Sequence, residues 1–290
     1  MKISLPIFGL LLLAFFNASA QVDVNVVLDQ EQYLSGESVP MAVRITNRSG
    51  QPLHLGADAN WLTFSVEAAD GFIVIKNDEV PVLGAFDLGS SEVATKQVDL
   101  APYFVLSHPG RYRVIATVRI KDWNVAVASS PKSFDVISGA RLWSQVFGVP
   151  VPAGVTNQPP EVRKYILMQA NYLSTQLRLY VQVSDESESR VFKTVAIGRL
   201  VSFSTPEEQL DRFSNLHVLW QSGSSSFTYA MVNPNGEVVR QEIYDYANAR
   251  PRLGMNDAGE IVVIGGMRRV KPEEVPVVKP PNELPVPAKP

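Results

Sequence analysis

The sequence lacks cysteine, has few histidines and has no large excess of charge of either sign. Its 290 residues include three histidines and carry a formal net charge of −3. Without cysteine, the chain forms no disulfides and offers no thiolate ligands to a metal. Without a basic excess it is poorly suited to neutralise a phosphate backbone, so we expect no nucleic-acid partner. Because 46% of the residues are hydrophobic, the chain can still bury a core.

The usual catalytic motifs are missing as well. None of His54, His108 and His217 has a second histidine at metal-ligand spacing, and His-Glu-x-x-His does not occur. The sequence has neither the Gly-x-Ser-x-Gly of a nucleophile elbow nor the glycine pattern of a phosphate loop. We therefore assign no catalytic residue, no metal ligand and no cofactor from the sequence.

Residues 1–20 have the pattern of a signal peptide. Lys2 precedes an almost wholly apolar run over 3–16, and the small residues at 18–20 form a cleavage site before Gln21. We expect export to the bacterial periplasm or the cell exterior, with retention as an N-terminal anchor as the alternative. No later stretch is long and apolar enough for a bilayer, so no integral membrane segment is expected after cleavage.

Residues 21–138 alternate apolar and polar side chains with the period of two that is typical of β-strands. Turn sequences such as Asn-Arg-Ser-Gly and Ala-Asp-Gly separate the runs. Val22, Val24 and Val26 share one face of the first strand, and Met41, Val43 and Ile45 share one face of a later strand. This spacing predicts an antiparallel sandwich of about seven strands.

Two fragments of residues 21–138 carry a more specific pattern. "YLSGESVPMAVRITNRSGQPL", from Tyr33, reads aromatic residue, small turn, Gly-Glu, strand, Thr-Asn and turn. "HPGRYRVIATV", from His108, has Pro-Gly-x-Tyr before a penultimate strand. These fragments resemble immunoglobulin-like or macroglobulin-like modules of bacterial exported proteins. The resemblance implies an Ig-like β-sandwich that acts as a spacer or binding platform, and it transfers no catalytic residue.

A linker is predicted over residues 139–158, because "GVPVPAGVTNQPP" at 148–160 is rich in glycine and proline. A second, β-rich domain is expected over 159–270, beginning with one amphipathic helix over 159–174 that packs across a sheet. The apolar residues at helical spacing are Val162, Tyr165, Ile166, Ala170 and Leu173.

The second domain contains an imperfect internal repeat. "LYVQVSDESESRVFKTVAIGRLVSFS" from Leu179 and "LHVLWQSGSSSFTYAMVNPNGEVVRQ" from Leu216 share an order of strand, polar turn, strand, glycine turn and strand. A shorter repeat relates "NPNGEVV" from Asn233 to "NDAGEIVV" from Asn256. The pattern indicates blade-like antiparallel units. A closed propeller needs at least four blades of ~40 residues, more than 177–270 can supply. We favour a small sheet or sandwich covered by the helix; edge pairing with another molecule is the alternative.

Residues 271–290 contain seven prolines and no pattern suited to a core. They predict a disordered, proline-rich tail of extended polyproline type. Such a tail is either a solvated end or a spacer that reaches a partner.

Aromatic residues and arginines cluster near the end of the second domain. Tyr244 and Tyr246 share strand parity at a loop edge, and Arg250 and Arg252 follow. Both residue types are frequent in binding hot spots, so these four are our candidate binding residues. The alternative is the ordinary packing of aromatic residues on a sheet. Three earlier aromatic residues are assigned to one face of the core: Trp220, Phe227 and Tyr229.

These observations favour a non-catalytic binding or structural-accessory protein of the bacterial cell envelope, not an enzyme. Its partner would be an envelope protein or polysaccharide, and the sequence leaves the ligand and the oligomeric state open. The alternative is a hydrolase of envelope carbohydrate or peptide with catalytic carboxylates in the second domain. A deep pocket with two close, buried carboxylates would favour the hydrolase, and a shallow aromatic and arginine patch near 244–252 would favour binding.

Overall fold

The computed structural model describes residues 21–150 and 161–270, almost entirely as β-strands. The chain divides into two units between Ser138 and Gly139, here called unit 1 and unit 2. Our predictions for the signal peptide at 1–20, for 151–158 of the linker and for the tail at 271–290 lie outside the described residues. In the ranges described, no helix is long and apolar enough to cross a membrane.

The described part of unit 1, residues 21–138, consists of short, mostly antiparallel strands and a 3₁₀ turn at Lys121–Trp123. The strands described in it are β1 (Val22–Leu28), β2 (Gln32–Leu34), β3 (Pro40–Asn47), β4 (Leu53–Leu55), β5 (Leu62–Ala68), β6 (Phe86–Leu88), β7 (Val93–Asp99), β8 (Gly110–Ile120), β9 (Val125–Ala128) and β10 (Lys132–Ile137). One sheet has the order β1-β3-β7, and a second has the order β2-β10-β8-β5 with β9 also paired to β8. β4 and β6 form a small separate ribbon. Among the strands described in this unit, only β2 and β10 pair in parallel.

The period of two in unit 1 is confirmed by burial. On β3, Met41, Val43 and Ile45 are at most 2% exposed, while Arg44 between them faces solvent. The longest strand, β8, buries Tyr112, Val114, Ala116, Val118 and Ile120 completely. Residues of both sheets belong to one hydrophobic cluster, so the two sheets enclose a common core.

Unit 2 is built from longer strands joined mainly by tight turns. Its described strands are β11 (Ala140–Gly148), β12 (Val162–Tyr172), β13 (Gln176–Asp185), β14 (Val191–Arg199), β15 (Glu207–Leu210), β16 (Leu216–Gln221), β17 (Ser226–Val232), β18 (Val238–Asp245), β19 (Arg252–Met255), β20 (Ile261–Ile264) and β21 (Met267–Arg268). One sheet has the order β11-β12-β13-β14 and the other the order β15-β16-β17-β18-β21. A separate hairpin pairs β19 with β20.

The amphipathic helix predicted over 159–174 is wrong, because residues 162–172 form β12. Tyr165, Ile166 and Leu167 are consecutive and all at most 1% exposed. A strand buried on both faces produces a continuous apolar run, and such a run also fits helical spacing. Val162 and Leu173, the two ends of the proposed helical stripe, are instead 40% and 42% exposed.

The linker prediction over 139–158 is also wrong for its first part. Residues 140–148 form β11, which pairs with β12 from Ala140 opposite Gln169 to Gly148 opposite Val162. The reason is packing, because Phe147 is 6% exposed in the core and its ring stacks on Tyr165 at a centroid distance of 4.2 Å. The glycine and proline signal is confined to the residues after this strand.

The two copies of the internal repeat lie in different sheets of unit 2, the first in β13 and β14 and the second in β16, β17 and β18. The glycine turn and third strand expected in the first copy are wrong, because Gly198 lies within β14 and no strand is described at 200–204. Three core residues of β13 correspond to three of β16, namely Leu179, Val181 and Val183 to Leu216, Val218 and Trp220, and all six belong to one buried cluster. Trp220 makes its sheet-to-sheet contact at Gly198 of β14. A Cβ there would lie 3.0 Å from the indole, and the residue has a φ of +146°. Trp220 also donates its indole N–H to the carbonyl of Arg199 at 2.8 Å.

Candidate functional site

The second sheet of unit 2 has two faces with different contents. Trp220 belongs to the main core of unit 2, whereas Phe227 and Tyr229 form a separate cluster with Leu219. All three predicted core aromatics are buried, but the expectation of one shared face is wrong. The register explains this, because Trp220 lies opposite Thr228 and Leu219 lies opposite Tyr229. We call the face that carries Tyr229 the network face.

A buried chain of polar groups lies on the network face. The hydroxyl of Tyr229 lies 2.8 Å from Nδ1 of His217, and Nε2 of His217 lies 3.3 Å from Oδ2 of Asp211. His217 is 4% and Tyr229 2% exposed. Asp211 also accepts the backbone N–H groups of Phe213 and Asn215 at 2.9 and 2.8 Å. Because the carboxylate of Asp211 can only accept, a neutral imidazole carries its proton on Nε2, and Nδ1 accepts the phenol hydrogen of Tyr229.

The protonation states of this chain follow from burial and hydrogen bonding. Burial lowers the pKa of His217 and outweighs the hydrogen bond and charge of Asp211, which raise it. Burial likewise raises the pKa of Tyr229. Burial raises the pKa of Asp211 too, but hydrogen bonds from Asn215, His217 and Phe213 outweigh it and leave that pKa lowered. At neutral pH the chain therefore holds an aspartate, a neutral imidazole whose two nitrogens are both engaged, and a neutral phenol.

A second polar cluster on the network face centres on Glu242, which is 8% exposed. Its Oε1 lies 2.9 Å from both Nη2 of Arg240 and Nε of Arg268, and its Oε2 accepts the hydroxyl of Tyr244 at 2.8 Å. Burial, followed by the hydrogen bond to Glu242, raises the pKa of Tyr244 to about 12. The guanidinium of Arg240 also lies 5.8 Å from the ring centroid of Tyr229, which joins the two clusters. Glu242 is thus a buried carboxylate whose charge is compensated by two arginines.

A small cavity of about 220 Å³ opens beside the first cluster. Its lining includes Asp211, His217, Tyr229 and Arg240, together with residues 259–262. Its other carboxylate, Glu260, accepts the side-chain amide of Asn256 at 2.9 Å. In the part of the chain that the structure describes, no three His, Cys, Asp or Glu side chains are grouped so as to hold a metal ion. Arg212 also lines the cavity, and its guanidinium lies 4.7 Å from the ring centroid of Phe213.

The four predicted binding residues fall in two different environments. Tyr244 is half-buried within the Glu242 cluster, and it packs against the hydrophobic cluster of Leu219, Phe227 and Tyr229. Tyr246 is 56% exposed, and its backbone N–H is donated to the carbonyl of Ser225 at 2.7 Å. The same parity in the sequence therefore does not place the two tyrosines in the same setting.

The two arginines lie just beyond the loop that follows Tyr246. Arg250 is exposed, and its guanidinium lies 5.3 Å from the ring centroid of Phe227. Arg252 is exposed at the start of β19. Within residues 21–150 and 161–270, neither arginine forms an ion pair. The loop between Tyr246 and Arg250 is held by a hydrogen bond from the Gly266 N–H to the carbonyl of Ala249 at 3.1 Å.

The sequence does not predict that Asp211, His217 and Glu242 take part in buried polar clusters. One signal was available for His217, because it lies in "LHVLW", where all five residues are buried. A histidine in such a run requires hydrogen-bond partners from other strands. Nothing in the local sequence specifies that those partners are Asp211 and Tyr229, which lie on a preceding loop and on the next strand.

The comparisons with known proteins give little to set beside this geometry. No family model and no curated protein matches the chain. Among solved structures, the chain is similar to Spo0M, the sporulation control protein of Bacillus subtilis, with 11% sequence identity, a TM-score of 0.30, and coverage of 73% of this chain and 79% of that chain. A superposition this loose supports no inference about fold or activity, and the sites above are therefore interpreted from their own chemistry.

Proposed function

We propose that this chain is an exported, non-catalytic binding or structural-accessory protein of the bacterial cell envelope, and that unit 2 binds an anionic envelope protein or polysaccharide. The observation that carries the proposal is the pair of exposed cations at Arg250 and Arg252, which have no ion pair within the described residues and follow the largely exposed Tyr246 closely in the sequence. Export rests on the signal-peptide pattern of residues 1–20.

The charges around this patch support an anionic partner. Arg240 and Arg268 are neutralised by Glu242, and Arg269 is neutralised by Asp245 at 2.6 Å. The excess positive charge of this end of unit 2 therefore lies at 250 and 252. Arginine on an aromatic face is held with its planar donors exposed, an arrangement that suits carboxylate or phosphate groups.

The architecture supports the rest of the proposal. In unit 1 a three-stranded and a five-stranded sheet enclose one core, which is consistent with an immunoglobulin-like platform. In unit 2 each of the two sheets contains four strands that follow one another in sequence, which is consistent with blade-like units. Both architectures commonly present binding surfaces at their loops.

Binding to purified bacterial envelopes, measured by co-sedimentation at low and high salt, tests the proposal. The R250A/R252A variant should bind about tenfold more weakly than the wild-type chain at low salt, a change of about 1.4 kcal/mol. The difference should diminish at high salt, because exposed charges are screened.

The matched control is R44A/R113A, which removes two exposed arginines from unit 1. This variant should bind as the wild-type chain does. If R250A/R252A binds normally, or if both double variants lose the same affinity, the patch is not the binding surface.

A further inference from the structure

Unit 1 contains a cavity of about 550 Å³ that is lined by residues from both of its main sheets. The lining comes from the start of β1, the turn after β3, the 3₁₀ turn and all of β9. The lining residues that matter below are Gln21, Ser49, Gln51, Trp123, Ala126 and Ala128. Small-ligand sites usually have volumes of about 300–1,000 Å³, so this cavity is large enough for a compact ligand.

The polar groups among the described lining residues are all neutral, and none of these side chains carries a charge. Gln21 and Gln51 contribute amides, which both donate and accept, and Ser49 contributes a hydroxyl. Within the described residues neither amide makes a side-chain hydrogen bond, so both are available to a ligand. A charged ligand would lose its hydration here without gaining an opposite charge. The lining therefore suits a neutral ligand that donates and accepts hydrogen bonds.

Trp123 gives the cavity an aromatic surface and a further donor. Its ring is half-buried and packs against the core of unit 1. The indole N–H groups of Trp61 and Trp220 donate to backbone carbonyls at 2.7 and 2.8 Å. The indole N–H of Trp123, in contrast, makes no hydrogen bond to another residue in 21–150 or 161–270. An indole face is apolar and electron-rich, so it attracts C–H groups that neighbouring oxygens polarise.

The open edge of β9 adds backbone donors and acceptors. The backbone N–H of Arg119 on β8 donates to the carbonyl of Trp61 at 2.7 Å, so it is directed away from β9. Ala126 lies opposite Arg119, and its own N–H and C=O groups therefore face the open edge, as do those of Ala128. Among the described strands, only β8 pairs with β9. These backbone groups can bond to a ligand in the cavity.

The turn that carries Ser49 and Gln51 is fixed by a buried side chain. Asn47 is fully buried, and its amide donates to the carbonyls of Gln51 and Leu88 at 2.7 and 2.9 Å. Its Oδ1 accepts the backbone N–H and the hydroxyl of Ser49 at 3.0 and 2.7 Å. Polar groups that are held in place before binding lose less entropy when the ligand arrives.

A sugar has the chemistry that this lining requires. Its ring presents a face of C–H groups, and each of its hydroxyls both donates and accepts. We propose that this cavity of unit 1 binds a neutral saccharide, whose ring packs on Trp123 and whose hydroxyls bond to the amides and to the open edge of β9. An extended peptide fits less well, because this edge offers the backbone groups of only Ala126 and Ala128 for strand addition. The site is independent of the binding proposed for Arg250 and Arg252 in unit 2.

The indole resonances of the full-length chain test for this ligand. The chain is labelled with ¹⁵N, and the Trp123 signal is assigned by its loss in Trp123→Phe. The probes are maltotriose, cellotriose and chitotriose, which are all neutral. At least one should shift the Trp123 signal saturably, with a dissociation constant of about 1 mM or below, and leave the Trp220 signal in place. An acidic trisaccharide, trigalacturonate, and the neutral peptide acetyl-Ala-Val-Ala-Val-amide should each bind at least about tenfold more weakly.

A matched pair of variants tests the role of the lining. Gln51→Leu removes an exposed amide from the cavity and should weaken binding of the saccharide about tenfold. Gln97→Leu is the control, because Gln97 is an exposed amide on β7 outside this lining, and it should bind as the wild-type chain does. Unchanged signals of Trp61 and Trp220 in the free variants show that both units are folded.

The R250A/R252A variant should bind the saccharide normally, so a failure of the site in unit 2 is seen separately from a failure of this one. The proposal is overturned if none of the three neutral trisaccharides shifts the Trp123 signal. It is also overturned if the acidic trisaccharide or the peptide binds as tightly as they do, or if Gln51→Leu and Gln97→Leu bind alike.

Discussion

Removing the hydroxyl of Tyr229 is the sharpest test of the buried chain on the network face. Tyr229→Phe preserves the ring and its packing against Leu219 and Phe227, so the change isolates one hydrogen bond. The hydroxyl is the donor to Nδ1 of His217 at 2.8 Å in a buried setting. Without it, a buried acceptor has no donor, which costs about 1–3 kcal/mol of the free energy of unfolding.

A double-mutant cycle separates this hydrogen bond from general damage. His217→Leu alone leaves the phenol of Tyr229 without its acceptor, while Asp211 retains the backbone donors of Phe213 and Asn215. The double variant should lose less stability than the sum of the single variants, by about 1 kcal/mol, because neither polar group of the pair remains.

Guanidinium unfolding, followed by tryptophan emission to which Trp220 in the core of unit 2 contributes, measures these changes. Tyr246→Phe is the control, since this tyrosine is 56% exposed, and its effect should stay within about 0.5 kcal/mol. The reasoning is refuted if Tyr229→Phe is as mild as Tyr246→Phe, or if the two changes at Tyr229 and His217 are simply additive.

Two further outcomes follow from the same structure. The folded-state pKa of His217 lies below its ordinary value of 6.5. The stabilising contribution of His217 is therefore present above pH 6.5 and is lost as the pH falls toward the folded-state pKa. His217→Gln should remove this part of the pH dependence of the free energy of unfolding, measured by denaturant unfolding. Asn233→Ala should lower the free energy of unfolding by about 1 kcal/mol, because Oδ1 of Asn233 accepts two backbone N–H groups at 3.0 Å. Asn256→Ala should cost the same within about 0.5 kcal/mol in the same assay, because its Oδ1 makes the equivalent pair of bonds at 3.0 and 2.9 Å, and unequal costs would contradict the equivalence of the two turns.

The strands of unit 1 could be predicted because most of them have one buried and one exposed face. Met41, Val43 and Ile45 alternate with polar or small neighbours, and that alternation leaves few other assignments. β12 could not be recognised in this way, since Tyr165 and Ile166 point to opposite faces and both are buried. Only the pairing of β12 with its neighbours, which is not visible in the local sequence, separates a strand from a helix there.

The candidate site was predictable only at its exposed margin. Arg250 and Tyr246 stand out by composition and are exposed in the structure. Tyr244 has the same composition signal, but its hydroxyl belongs to the buried Glu242 cluster. Whether an aromatic side chain is on the surface depends on the strands that cover it, here including Leu253 of β19 and Val263 of β20. The sequence around Tyr244 does not specify that these two strands pack against it.

The two Asn-x-x-Gly-Glu turns have a consequence for how the chain acquires its fold. Each turn closes on itself through backbone and side-chain bonds, and each has a glycine at positive φ, +77° at Gly236 and +75° at Gly259. In unit 2 the paired strands mostly follow one another directly, whereas in unit 1 the pairing of Gln32 with Asp135 joins the two ends of the unit. Local pairing lowers contact order and speeds folding. Unit 2 can therefore assemble hairpin by hairpin from turns that are already formed, while completion of the five-stranded sheet of unit 1 must wait until β10 is available.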